Sequence, residues 1–284
     1  MSFVRLLLLF SFFALVACQN QNSSRMTLEK NSNITGGVTS SVSEFPFMAN
    51  IWQNDPANHF NNHLCGGSLI ARHWVLTAAH CIMDDASEST LVTVKASELT
   101  VILGSSAFSG TDGRKYAVKA VIPHPQFSWP HHDVALLQLS EDVLNVAPVA
   151  LSPADKGDLV ISASATVIGW GLTDTAGVTD ANTLQKVTLP LIKRSACATD
   201  PWVRHFNYSI STDMVCAQTS NNSKASCPGD SGGPLLQNDG GHSVQIGIVS
   251  WGSACGGSRP SSASSVEGYA AVADAYDWIQ SVIK

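Results

Sequence analysis

Short apolar runs follow one another from residue 34 onward, and they limit the possible folds of this chain more than any other feature. Gly, Pro, Asn and Ser separate the runs, as turn residues separate strands. The spacing does not fit βαβ units, in which helical patterns alternate with strands. We therefore predict an all-β fold with the antiparallel architecture of a sandwich or a barrel. The runs are residues 47–52, 67–71, 74–78, 100–103, 116–122, 134–139, 165–168, 186–192 and 244–250.

One helix is predicted, at the C-terminus. Apolar residues stand at helical spacing after Asp274, a residue type that caps helices. These residues are Trp278, Ile279, Val282 and Ile283. We predict a closing helix over 274–284. Residues 148–158 are polar and contain proline, which makes them the natural crossing between two halves of the chain.

The first 17 residues have the pattern of a signal peptide, with one positive charge at Arg5 and an apolar stretch too short to span a membrane. The leader ends at Ala17-Cys18 and resembles the bacterial lipobox, in which the cysteine is lipidated. Simple cleavage after Ala17 is the alternative. Residues 18–33 are polar and rich in Asn and Ser, which is typical of a flexible propeptide or tether. No run of eighteen apolar residues follows the leader, so no spanning helix is predicted there.

Composition favours a secreted β-rich domain and argues against nucleic acid as a partner. Charged residues make up 13% of the 284 residues, about half the usual share, and hydrophobic residues make up 44%. The formal net charge is −6 and the isoelectric point is near 5.8. This balance leaves no basic patch for a phosphate backbone.

Residues 227–234, Cys-Pro-Gly-Asp-Ser-Gly-Gly-Pro, have the pattern of a nucleophile loop. The hydroxyl of Ser231 is inert without an adjacent general base. Gly229 and Gly232 allow backbone conformations that direct two N–H groups at one spot beside that hydroxyl. A plain surface turn would use the same residue types, so a base and an orienting acid are needed to decide between the two.

Two other stretches supply these groups. His80 ends an apolar strand and is followed by Cys81, sixteen residues after Cys65. Asp133 stands at the head of the apolar run 134–137, where we expect its carboxylate to be buried. A buried carboxylate persists only when it is paired or hydrogen-bonded.

His80, Asp133 and Ser231, in this order, resemble the chymotrypsin-like (trypsin-like) serine proteases. The resemblance runs from Ile34 to the C-terminal helix. It implies two antiparallel Greek-key β-barrels of six strands each, about 34–148 and about 149–273, followed by the helix 274–284. The motifs are Ile-x-Gly-Gly at 34–37, Thr-Ala-Ala-His-Cys at 77–81, Asp-Val-Ala-Leu at 133–136, Gly-Trp-Gly at 169–171, Gly-Asp-Ser-Gly-Gly-Pro at 229–234 and Ser-Trp-Gly at 250–252.

The resemblance assigns roles to these residues. His80 takes the proton from Ser231 and passes it to the leaving amine, and Asp133 holds the imidazole. The N–H groups of Gly229 and Ser231 form the oxyanion hole. Ser250 bonds Asp133, and Ser250 to Gly252 pair with the substrate backbone. The implied disulfides, which require an oxidising compartment, are Cys65–Cys81, Cys197–Cys216 and Cys227–Cys255, and they leave Cys18 unpaired.

The resemblance also implies a zymogen. A cut before Ile34 would free an amine that pairs with Asp230 and orders the nucleophile loop. Asn33 precedes the cut where the family has Arg or Lys, so we expect an activating protease of another specificity. If Cys18 is lipidated, the cut also releases the enzyme from the membrane. The protein is then secreted, after anchoring at the outer membrane as a bacterial lipoprotein.

The primary specificity pocket departs from the trypsin pattern. Trypsin carries an aspartate six residues before the nucleophile, and this chain has Ala225 there. Glu267 aligns with a pocket-wall glycine, where it would attract a basic residue. Alternatively, Glu267 lies on a solvated loop. We expect a medium or large apolar residue before the scissile bond. The implied pocket residues are Ala225, Ser226, Ser250, Trp251, Gly252 and Glu267.

No cofactor or metal is expected, and the protein is expected to act as a monomer on protein or peptide substrates. His59 and His63 lie in an Asn-rich segment and are interpreted as solvated loop residues, and His131 and His132 as surface spacers beside the acid.

Two other functions are compatible with part of the sequence. A catalytically latent protease-like binding protein is the alternative, because the junction before Ile34 is unusual. An esterase or lipase would use the Gly-x-Ser-x-Gly pattern of 229–233, but the order of the triad and the lack of βα alternation argue against it.

Overall fold

The computed structural model describes residues 36–54, 63–85, 91–153, 164–172, 181–220, 224–253 and 265–284. Several predicted features lie outside the described residues: the signal peptide 1–17, the tether 18–33 with Cys18, and the residues Ile34, His59 and Cys255. Within the described part, no helix is long and apolar enough to cross a membrane.

Nine strands lie in the described part of the first half of the chain. They are β1 Val38–Thr39, β2 Met48–Gln53, β3 His63–Ala71, β4 Trp74–Thr77, β5 Met83–Asp85, β6 Leu91–Thr93, β7 Leu99–Leu103, β8 Arg114–Pro123 and β9 Ala135–Leu139. Two short 3-10 helices cover Ala79–Cys81 and Ala96–Glu98.

The second half repeats this organisation and adds the helices. Its strands are β10 Ala150–Leu151, β11 Ser164–Gly169, β12 Gln185–Ile192, β13 Met214–Thr219, β14 Pro234–Asp239, β15 His242–Gly252 and β16 Ser265–Ala271. The helices are α1 Arg194–Cys197, α2 Pro201–His205 and α3 Val272–Ile283.

Each half closes into a six-stranded antiparallel barrel. The first barrel has the order β2-β3-β4-β9-β8-β7, and β7 pairs with β2 to close it. The second has the order β12-β11-β14-β15-β16-β13, and β13 pairs with β12. Counted from its own first strand, each barrel follows the order 1-2-3-6-5-4. The predicted all-β fold with two six-stranded barrels and a C-terminal helix is confirmed.

Alternation along the strands explains why they face a core. In β12 the side chains of Gln185, Val187, Leu189 and Leu191 are buried, while Thr188 and Pro190 between them are exposed. This period of two is the pattern of a strand with one face buried. Closure of a barrel pairs its first strand with its last, which removes the sheet edges that would invite aggregation.

Helix α3 begins two residues earlier than predicted. Asp274 lies in its first turn and is not the capping residue, because the N-cap position is Ala271, which makes no side-chain capping bond. The helix buries Ala275 and Ile279 in the larger hydrophobic cluster, to which residues of both barrels contribute.

Disulfides join Cys65 to Cys81 and Cys197 to Cys216. Cys227 is also disulfide-bonded. Its predicted partner, Cys255, lies outside the described residues.

Candidate active site

The first barrel brings His80 and Asp133 together at the ends of neighbouring strands. Strands β4 and β9 are paired, with Thr77 opposite Ala135. His80 follows the end of β4 and Asp133 precedes the start of β9. The Nδ1 of His80 lies 2.7 Å from Oδ2 of Asp133, and the His80 backbone N–H donates to Oδ1 at 2.8 Å.

Asp133 is completely buried, and its carboxylate is satisfied by hydrogen bonds. In addition to the two contacts with His80, the hydroxyl of Ser250 donates to Oδ2 at 2.6 Å. A carboxylate only accepts, so the proton of the imidazole sits on Nδ1, and Nε2 is left as a base. This bond therefore fixes both the tautomer and the orientation of the His80 ring.

The loop that carries Ser231 is held by bonds to both barrels. The N–H of Gly66, in β3, donates to the Ser231 carbonyl at 2.8 Å, and the N–H of Gly232 donates to the Val249 carbonyl at 2.9 Å. Gly232 has φ +75°, and a Cβ there would collide with Oγ1 of Thr77. The nucleophile loop is thus packed against the strand that leads to His80.

Ser231 itself is partly buried. Within the described residues its hydroxyl makes no hydrogen bond to His80. Such bonds are often long before substrate binds, so this geometry does not exclude proton transfer between the two groups.

Asp230 is completely buried beside Ser231. Its Oδ1 accepts the N–H of Gly171 at 2.8 Å, and its Oδ2 accepts the N–H of Cys227 at 2.8 Å. The carboxylate lies between Gly169 and Gly171, and a Cβ at either glycine would overlap it. This explains the Gly-Trp-Gly motif of 169–171. The predicted partner of Asp230, Ile34, lies outside the described residues.

His63 is a site residue that the sequence interpretation missed. It was expected to be a solvated loop residue, and this is wrong: it opens β3 and is partly buried. Its Nε2 lies 2.9 Å from the carbonyl oxygen of Gly229, and its Nδ1 lies 2.7 Å from Oδ1 of Asn50. The only local signal was its place two residues before Cys65, on the strand pinned by that disulfide.

His131 and His132 were expected to be surface spacers beside Asp133, but both form contacts with other residues. The Nδ1 of His131 and the N–H of His132 both contact Oδ2 of Asp213, at 3.0 and 2.9 Å. The His132 ring stacks on His124 with centroids 4.9 Å apart, and its Nδ1 lies 3.4 Å from Oδ2 of Asp274.

Glu267 does not lie on a solvated loop, which was the alternative drawn from the sequence. It is in β16, is 2% exposed, and its Oε2 accepts hydrogen bonds from Ser226 and Tyr269. Burial raises the pKa of this carboxyl above its usual value, although the hydrogen bonds oppose the rise. Burial, together with the neighbouring Glu267, also raises the pKa of Tyr269 far above 10, so its hydroxyl stays protonated and donates.

The other predicted pocket residues lie on the two segments that pair with or contact Glu267, which contain Gly252 and Ser226. Ser250 and Trp251 are buried and Gly252 is exposed, all three at the end of β15, which pairs with β16. Ala225 is completely buried and precedes Ser226.

Cys65, His80 and Cys81 bring three potential metal-ligand atoms within 4.8 Å of one another. Both sulfurs belong to the Cys65–Cys81 disulfide, however, so neither is available as a thiolate ligand.

Comparison with known proteins gives consistent matches over most of the chain. Residues 34–279 match the family model described as Trypsin. Trypsin-1 of Astacus astacus is 34% identical over 229 residues, which is 78% of this chain and 90% of that protein. Trypsin of Simulium vittatum is 34% identical over 252 residues, which is 86% of this chain and 94% of that protein.

Proposed function

This chain belongs to the trypsin family, and we propose that it is a serine endopeptidase that cleaves peptide bonds with Ser231, His80 and Asp133. The observation that carries this proposal is the bond of 2.7 Å between Nδ1 of His80 and the buried carboxylate of Asp133. Because of that bond, Nε2 of His80 can serve as the general base. His80 follows the end of β4, and the Ser231 loop packs against that strand end.

In the proposed reaction, Oγ of Ser231 attacks the peptide carbonyl while Nε2 of His80 accepts its proton. The imidazolium that forms is stabilised by Asp133. The N–H groups of Gly229 and Ser231 donate to the tetrahedral oxyanion, each contributing about 3–4 kcal/mol in comparable sites. The carbon–nitrogen bond then breaks, His80 gives the proton to the leaving amine, and the acyl group stays on Ser231. Water, deprotonated by His80, hydrolyses this ester and restores the enzyme.

The substrate backbone is proposed to bind along the end of β15. Strand β14 pairs with β15 only as far as Ile248, whereas β16 pairs with the opposite edge through to Gly252. Residues 250–252 therefore have one edge that none of the described strands covers. An extended peptide adds to such an edge by main-chain hydrogen bonds.

Activation is proposed to follow a cut between Asn33 and Ile34. Asp230 is a buried carboxylate whose two described hydrogen bonds come from neutral backbone N–H groups. A new α-amino group at Ile34 would bring a positive charge to this carboxylate and stabilise the loop that holds Gly229 and Ser231. Because Asn33 precedes the cut, the activating protease is proposed to differ from the trypsin type.

We also propose that the leader exports the protein and that Cys18 anchors the precursor as a bacterial outer-membrane lipoprotein, so that activation releases a monomeric enzyme. Labelling of the precursor with a radioactive fatty acid tests this. Lipid is expected on the precursor and on the short fragment after the cut, and lipid that remains on the active enzyme would contradict release.

The test of the endopeptidase is the reaction of a protein engineered to begin at Ile34 with a fluorophosphonate probe, followed by cleavage of a peptide library. Labelling and cleavage are expected for the wild type, and both are expected to disappear in Ser231→Ala and His80→Ala. A folded protein that takes up no probe would instead support the latent binding protein.

A further inference from the structure

Glu267 is a buried carboxylate that the proposed chemistry does not use. It is paired with Gly252 in the register between β16 and β15. A Cβ added to Gly252 would lie 3.4 Å from Cγ of Glu267, so the stem of the glutamate packs against that glycine. The carboxylate reaches Ser226, the residue before Cys227. Glu267 thus crosses the space between the two segments that the resemblance assigns to the walls of the primary pocket.

The two oxygens of this carboxylate are used unequally. Oε2 accepts three hydrogen bonds, from the N–H of Ser226 at 3.0 Å, its hydroxyl at 2.6 Å and the hydroxyl of Tyr269 at 2.6 Å. Among the described residues, no donor reaches Oε1. An ionised carboxylate has about four lone-pair sites shared between its oxygens, so Oε1 keeps its capacity to accept.

A buried carboxylate with no cationic partner is costly. None of the Lys, Arg or His side chains in the described ranges forms an ion pair with Glu267. All three donors to Oε2 are neutral groups. Among the described residues, Oε1 therefore remains open to a cation that enters from outside, and its poorly hydrated surroundings strengthen electrostatic attraction.

The single free oxygen discriminates between the two basic side chains. An arginine guanidinium binds a carboxylate best through two parallel N–H bonds, one to each oxygen. Because Oε2 is already saturated, only one of these bonds can form here. A lysine ammonium is a compact charge that needs only one acceptor at close range.

We infer that Glu267 determines the specificity of the primary pocket and selects a lysine side chain before the scissile bond, in preference to arginine and to apolar residues. The inference rests on the proposed endopeptidase function. A preference for lysine replaces the apolar preference that was expected from Ala225 alone. The negative charge of the pocket comes from Glu267 in its wall and not from a residue at its base.

The test uses protein that begins at Ile34 and four peptides that differ only before the scissile bond, where they carry Lys, Arg, norleucine or Phe. Norleucine has the lysine carbon chain without the charge. Fluorophosphonate titration gives the concentration of active Ser231, so that kcat/KM is compared per active site. The wild type is expected to prefer Lys over all three other residues.

In Glu267→Gln, the preference for Lys over norleucine is expected to fall by roughly 10- to 100-fold, which corresponds to the loss of a hydrogen bond to a charged group. The preference for Lys over Arg is expected to fall towards one. Glu98→Gln, the same change at a partly exposed position on the first barrel, is expected to alter neither ratio.

Equal kcat/KM values for the Arg and the Lys peptide would contradict the selection of lysine by the single oxygen Oε1. Wild-type cleavage after norleucine or Phe at the rate for Lys would overturn the inference as a whole, and this result needs no variant to fold. A preference for Lys over norleucine that is unchanged in Glu267→Gln would also overturn the inference.

A binding measurement separates this inference from the proposed catalysis. In Ser231→Ala protein, which cannot form an acyl-enzyme, n-butylammonium is expected to bind more tightly than butylguanidinium, as measured by NMR titration. The difference is expected to disappear when Glu267→Gln is added. Equal binding before and after that change would overturn the inference, even where the protease activity itself is present.

Discussion

The Nδ1 of His131 lies 3.0 Å from Oδ2 of Asp213, and this contact joins the loop before Asp133 to the second barrel. The same oxygen accepts the backbone N–H of His132, and the hydroxyl of Ser211 bonds Oδ1. Asp213 is only 4% exposed. It therefore clamps the backbone directly before the proposed catalytic acid.

Replacement of Asp213 by Asn is expected to lower the free energy of unfolding by about 2–3 kcal/mol, because a buried charged acceptor is lost while its donors stay in place. A loss of this size lowers Tm by about 4–10 °C in a chain of this length. Thermal unfolding followed by circular dichroism measures it. Asp142→Asn is the matched control, since Asp142 forms exposed pairs with Arg72 and His73 and is expected to change stability by less than about 1 kcal/mol.

The lowered pKa of Asp213 also predicts that the protein loses stability in acid. Burial by itself would raise the pKa of this carboxyl, but hydrogen bonds from Ser211, from the His132 N–H and from His131 lower it below 3.8. A carboxyl whose pKa is lowered by folding adds stability above its unfolded pKa, and this stability is lost as the pH falls through the folded pKa. Urea unfolding between about pH 2 and 6 is expected to show a decline below about pH 4 that is weaker in Asp213→Asn. Parallel curves for the two proteins would contradict the assignment.

His63 is expected to position the oxyanion donors through its contact with the Gly229 carbonyl. His63→Ala removes one hydrogen bond that holds the loop, so kcat is expected to fall roughly tenfold with little change in KM. His63→Gln keeps an N–H donor and is expected to recover part of the loss. His73→Ala, at an exposed histidine of the first barrel, serves as the control. A rise in KM alone would show that His63 acts on substrate binding instead.

Gly171 is expected to tolerate no side chain. A Cβ there would lie 2.5 Å from Cγ and Oδ2 of Asp230, so Gly171→Ala forces the carboxylate away from the N–H groups that hold it. Displacement of the oxyanion loop is expected to lower kcat/KM at least roughly 100-fold. Gly104→Ala is the comparison, because Gly104 has φ +79° with no neighbouring atom within 4 Å. It is expected to cost stability without a loss of activity per folded molecule. Equal activities of the two variants would contradict the role of Gly171.

The parts of this site that the sequence predicts are those whose residues stand in local motifs. His80, Asp133 and Ser231 each follow or precede a short strand, and their neighbours in the chain already indicate the chemistry. The barrels were expected from the family resemblance, because strand periodicity does not state which strands pair. Closure of the second barrel by β12 and β13, for example, leaves no signal in either segment.

Residues whose roles depend on distant partners were not predictable in this way. His63 contacts Gly229 across 166 positions of sequence, and Glu267 contacts Ser226 across 41. A histidine in an Asn-rich segment and a glutamate in a Ser-rich one look solvated until the barrels bring their partners close. The physical cause is that hydrogen bonds satisfy buried polar groups wherever the fold places a donor, irrespective of sequence separation.

The last prediction concerns the pH dependence of the primary pocket. Burial raises the pKa of Glu267 above 4.5, and only the ionised carboxylate attracts an ammonium group. The preference for Lys over norleucine should therefore decline as the pH falls through this raised value. The ratio of the two kcat/KM values isolates the pocket, because any effect of pH on the catalytic steps that both peptides share cancels in the ratio. Measured from about pH 8 down to 4.5, the ratio in the wild type is expected to drop towards the value for Glu267→Gln.

The same raised pKa means that ionised Glu267 costs stability at neutral pH, since a carboxyl whose pKa is higher in the folded than in the unfolded protein adds stability only at low pH. Glu267→Gln is thus expected to raise Tm at pH 7 while it removes the lysine preference. A lower Tm together with a ratio that does not depend on pH would show that Glu267 is a structural acceptor for Ser226 and Tyr269 and takes no part in the choice of substrate.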